Sequence, residues 1–105
     1  MKLMKKKDKT ILGFTKVEIL GHTFKVKETN KDEDLMYNRN VALGLCKYLE
    51  QEIVIDTRQS IENIKQTFIH EVLHAIDYIS HNEQVIYDEE TVNVLARGLM
   101  TIRTK

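Results

Sequence analysis

Two histidines four residues apart flank a glutamate in the run His70-Glu71-Val72-Leu73-His74. One helical turn rises about 5.4 Å, so on a helix both imidazoles leave the same face and can grip one ion. Zinc favours imidazole ligands in a tetrahedral site, and a catalytic site keeps one position for water. Glu71 lies about 100° around the helix axis from His70. From there it is poorly placed to bind the same ion but well placed to take a proton from the water as general base. This is the chemistry of the HExxH pattern. The plainer alternative is a solvated polar helix face that happens to carry two histidines.

The pattern needs a third ligand. Asp77 and His81 share the histidine face, but Asp77 is seven residues past His70, roughly 10 Å along a straight helix. His81 is farther still. A tight turn after His74 could bring a residue back, but the chain reads His74-Ala75-Ile76-Asp77 without glycine, so an extended metzincin pattern fails. Glu89 and Glu90 remain, at the start of the last helix. With Glu89 at zero on that wheel, Val92, Leu95, Ala96, Leu99, Met100 and Ile102 span roughly 160° ending just past Glu89. Glu89 therefore borders the buried face, and Glu90 points outward beside Arg97. A carboxylate turned toward a core needs a partner, and a metal ion is a good one. Two first-turn acids are also what a helix dipole favours with no metal at all. Asn93, one turn after Glu89, could orient a ligand by hydrogen bonding. The expected site is His70, His74 and Glu89 on Zn2+, with Glu71 as general base and Asn93 in support. Tyr78 and Tyr87 lie near enough to assist an oxyanion, although such tyrosines are more often packing residues.

These residues need a frame to hold them. Apolar residues at 61, 64, 68, 72, 75, 76 and 79, widened by 69 and 73, predict a helix over 60–81. Ser60 can cap its start, and Glu62 suits its first turn. A polar break at Ser80–Gln84 separates it from a last helix over 88–103 capped by Asp88. The first half reads as strands. Residues 14–20 and 23–28 form an expected hairpin with Gly21-His22 in the turn, and Phe24 and Val26 alternate with Lys25 and Lys27. Residues 29–34 are a polar loop, with room for one helical turn after it. A second hairpin runs from Leu43 to Asp56, turning near Glu50-Gln51. Strands followed by helices indicate an α+β domain with a small antiparallel or mixed sheet built from two hairpins.

The chain has 105 residues, no proline and no low-complexity linker, so residues 1–105 read as one domain. Charged residues make up 30 % and hydrophobic residues 42 %, which is ordinary for a water-soluble globule. Sixteen basic residues balance 16 acidic ones, so net charge points to no polyanionic partner. Lys2, Lys5, Lys6, Lys7 and Lys9 crowd the start, and residues 1–10 read as a flexible basic tail. No aromatic residue is interleaved with them, which weighs against nucleic acid as a partner. The apolar run at Thr10–Phe14 is too short for a signal peptide, and no stretch reaches the length of a membrane span. Cys46 is the single cysteine, has no ligand-spaced neighbour and reads as a small half-buried apolar residue. A reducing, cytoplasmic setting is the natural expectation.

The segments Gly44–Tyr48, Glu52–Asp56 and Thr67–Ile76, taken together, resemble small zincin-type metallopeptidases of phages and bacteria related to the ImmA/IrrE group. In that pattern a strand hairpin leads into the HExxH helix, and a later helix supplies a glutamate followed by Asn or an acid and then small and apolar residues. Glu89, Asn93, Leu95 and Ala96 match in that order. The resemblance covers about residues 40–103. It implies a minimal gluzincin with zinc on His70, His74 and Glu89, Glu71 as catalytic acid/base, and a protein or peptide as substrate. It also implies that Ile53–Asp56 borders the cleft and pairs with an extended substrate. ImmA-like proteins cut a repressor, but many carry an additional DNA-binding domain, and none is expected within residues 1–105. Two other functions stay open: a catalytically silent zincin-fold module that binds and regulates a partner, and a small nucleic-acid-associated protein using the lysine tail.

Overall fold

The computed structural model describes residues 10–103; the lysine-rich tail expected over 1–10 falls, through residue 9, outside the described residues. The expected α+β class is what the chain adopts: a mixed four-stranded sheet, a two-stranded ribbon and two helices.

The first hairpin joins β1 (Lys16–Ile19) to β2 (His22–Thr29) in antiparallel register, with Ile19 opposite His22. The turn is Leu20-Gly21, one residue earlier than expected, because His22 still pairs. Both turn residues have positive φ, 48° and 84°, the mirror-image turn whose twist suits two-residue hairpins. Gly21 adopts this freely, whereas Leu20 accepts some strain.

After β2 the chain makes a 3-10 turn at Asp32–Asp34. A short ribbon that sequence patterning did not indicate follows, pairing β3 (Met36–Tyr37) with β4 (Asn40–Val41). The second hairpin is β5 (Gly44–Lys47) and β6 (Glu52–Asp56). The sheet order is β1-β2-β6-β5, and β6 runs parallel to β2. The β-branched run Ile53-Val54-Ile55 therefore lies in the interior, fully buried, as expected of a central strand. This corrects the expectation that Ile53–Asp56 accepts a substrate strand. Its backbone is already paired on both sides, and β5 is the edge.

Helix α1 (Ile61–Ser80) packs across β5, β6 and β1. Ser60 Oγ accepts from the Asn63 amide at 3.2 Å, capping the start as expected. Ile64 and Ala75 meet Ile19, Phe24, Ile53 and Ile55 in the core. Ile61, expected on the apolar face, is 59 % exposed. Helix α2 (Glu89–Met100) is shorter than the expected 88–103 and leans on α1. Asp88 caps it, accepting from the Thr91 amide at 2.8 Å. Only Val92 and Ala96 of α2 are buried, while Leu95 and Leu99 stay 43 % and 44 % exposed. A single neighbour covers a narrow stripe of a helix, not the wide arc its sequence offers.

Candidate metal centre

The two histidines and the glutamate come together. His70 Nε2 and His74 Nε2 lie 3.1 Å apart. Glu89 Oε1 is 3.0 Å from His70 Nε2, and Glu89 Oε2 is 3.0 Å from His74 Nε2. Helical spacing stacks the two rings edge to face, with centroids 4.7 Å apart, and the entry to α2 brings Glu89 across from the side. Glu90 is exposed and outside this cluster, so the structure separates two adjacent acids that composition alone treats alike.

The donor set suits a divalent ion. Ligands about 2.0–2.2 Å from a tetrahedral zinc lie roughly 3.3–3.5 Å from one another, and the observed separations are slightly shorter. His74 is buried, and burial is the main cause that lowers its pKa, with Glu89 opposing. It is thus held toward the neutral form that ligation needs. Two nitrogens and a carboxylate converging on one point are satisfied together by a cation. In one respect the site departs from the usual pattern: His74 Nδ1 is buried with no hydrogen-bond partner, whereas metal-ligating histidines ordinarily donate that N–H. Asn93, expected to serve there, borders the cleft but bonds to none of the three among the described residues.

Glu89 is not turned into the core as the helix wheel suggested. Its side chain is 73 % exposed, and it reaches the histidines from the solvent side. Glu71 is the buried acid, at 5 % exposure, with Oε2 4.0 Å from His70 Nε2. It stands beside the cluster and outside it, as its place on the helix requires. Burial, helped by the negative charge of Glu89, pushes its carboxyl up to about 8.

Gly44 makes this burial possible. A Cβ there would sit 2.6 Å from Thr67 Cγ2 and 3.1 Å from Glu71 Oε2. Without a side chain at this position, β5 lies directly against α1 under the glutamate. The signal in the sequence was an isolated glycine within a strand, which often marks such close approach. Cys46, further along β5, is half-buried, and its thiol is pushed up to about 12 by burial and by Glu71. It stays protonated and is a packing residue, as expected. Tyr78 stacks on Tyr48 with centroids 4.2 Å apart, and Tyr87 stands edge-on to His81. Tyr48, which the sequence did not single out, borders the cleft beside the cluster.

The cleft has a volume of about 1230 Å³. Its floor is α1, and β5 forms one wall with all four residues. Met36 and Tyr37 of the short ribbon stand at its rim. Among the described residues, no helix is long and apolar enough to cross a membrane. Comparison with known protein families, with curated proteins and with solved structures found no match in any of the three.

Proposed function

We propose that the protein is a zinc-dependent peptidase of minimal zincin type, acting on a protein or peptide. The convergence of His70, His74 and Glu89 beside a buried Glu71 carries this reading. The three side chains would hold the ion. Bound there, zinc would polarise a scissile carbonyl and acidify a water molecule.

The remaining work falls to the chain itself. Glu71 Oε2 takes a proton from the attacking water and returns it to the leaving amine. Glu71 is buried with Oε2 4.0 Å from His70 Nε2, which holds its carboxyl beside the ligand cluster, where it can exchange that proton. The free edge of β5 lies along the cleft, so an extended substrate can add to it by main-chain hydrogen bonds. Exposed Leu43 and Leu49, either side of β5, supply apolar contact.

The test combines zinc content with peptide hydrolysis. The wild type should hold one zinc per chain and cleave unstructured peptides. Glu71→Gln should keep the zinc and lose at least about 100-fold in rate. Equal rates for both proteins overturn the mechanism. Zinc bound tightly with no cleavage of any peptide favours the silent binding module instead.

A further inference from the structure

We infer that Asp77 is a positioning residue for Glu89: it clamps the chain just ahead of α2 and so delivers the third ligand to the two histidines. The inference rests on the metal-centre reading above. Asp77 is fully buried. Its Oδ2 accepts from the amides of Tyr87 at 2.8 Å and Ile86 at 3.0 Å. Its Oδ1 accepts from His81 Nδ1 at 2.8 Å, with that nitrogen carrying the proton.

Asp77 is three residues beyond His74 on the same helix, so one rigid rod carries both the histidine ligands and the clamp. Tyr87 is two residues before Glu89, which ties the clamp closely to the carboxylate. Other bonds hold only the start of this link: Glu83 N donates to Tyr78 O at 2.8 Å, and Gln84 N to His81 O at 3.2 Å. Between Gln84 and the Asp88 cap, the hydrogen bonds that tether the chain among the described residues all go to Asp77, and Tyr87 also packs edge-on against His81. Helix α2 buries only Val92 and Ala96, and the largely exposed Glu89 carboxylate touches little besides the histidines. An unclamped α2 would have to be ordered by the ion itself, which costs affinity. A carboxylate is required because all its partners donate. The amide of Asn would set its NH2 against either the two backbone N–H groups or the imidazole.

The test measures zinc affinity by chelator competition and the absorption spectrum of the Co2+ form. Asp77→Asn should bind zinc about 10- to 100-fold more weakly and give a Co2+ spectrum like that of Glu89→Gln. In the Glu89→Gln background it should cost no more. Two insertions leave Asp77 intact, so they decide the matter even if Asp77→Asn does not fold. Gly-Gly placed between Tyr87 and Asp88, after the clamp, should lower affinity to the Glu89→Gln level. Gly-Gly between Gln84 and Val85, before the clamp, should leave it near wild type. Wild-type affinity in folded Asp77→Asn, additivity with Glu89→Gln, or equal effects of the two insertions overturns the inference alone. A wild-type chain that takes up no zinc overturns the metal centre and the inference with it.

Discussion

Gly44→Ala measures how closely strand and helix approach beneath Glu71. The new methyl would lie 2.6 Å from Thr67 Cγ2, about 1 Å inside an ordinary carbon–carbon contact. Thr67 cannot easily rotate away, because its hydroxyl bonds Gln59 Oε1 at 3.1 Å. Either that bond breaks or β5 moves off α1. Overpacking of this kind costs about 1–3 kcal/mol, equivalent in a domain this size to a fall in Tm of about 5–20 °C. Thermal and urea melts followed by circular dichroism read the loss. Thr67→Ser removes the offending methyl and keeps the hydroxyl, so Gly44→Ala/Thr67→Ser should recover most of the stability. The same Cβ also lies 3.1 Å from Glu71 Oε2, so hydrolysis should stay impaired in the double variant after stability returns. If Gly44→Ala melts with the wild type, or if Thr67→Ser restores nothing, the close approach is not what the geometry says.

Zinc at a hundred times its dissociation constant should add about 2.7 kcal/mol of stability, raising Tm by about 10 °C or more; a chelator or His74→Ala should abolish the rise in a thermal melt, and Glu89→Gln should cut it to less than about half. In the metal-free protein Glu71 is raised from 4.5 to about 8, so its contribution is fully present below pH 4.5 and lost as pH climbs toward 8. That loss amounts to about 3 kcal/mol by pH 7. Glu71→Gln should remove this decline, read as the difference in urea midpoints between variant and wild type at pH 5 and pH 8. Ser60→Ala deletes the bond to the Asn63 amide and should cost about 1 kcal/mol by urea melt, with zinc affinity unchanged.

Most of what depended on neighbours along the chain was legible in the sequence, although the ribbon of Met36–Tyr37 with Asn40–Val41 was not. Spacing on one helix put His70 and His74 on a common face with Glu71 off to the side. Ser60 and Asp88 announced the two helix starts because a cap bonds an amide three residues away. The run Ile53-Val54-Ile55 declared a strand through its β-branched side chains. Partners distant in sequence were decided by the tertiary structure. Nothing local pairs Lys25 with Glu52, so neither the parallel β2–β6 contact nor the edge position of β5 could be read in advance. Asp77 looked like a residue of the polar helix face, yet it is fully buried, because amides nine and ten residues later fold back onto it. Glu89 shows both sides: its position marked it as a ligand candidate, but its carboxylate, expected to turn toward the core, is 73 % exposed. A helix wheel gives direction about its own axis, whereas reaching His70 and His74 depends on where the preceding loop sets that axis down.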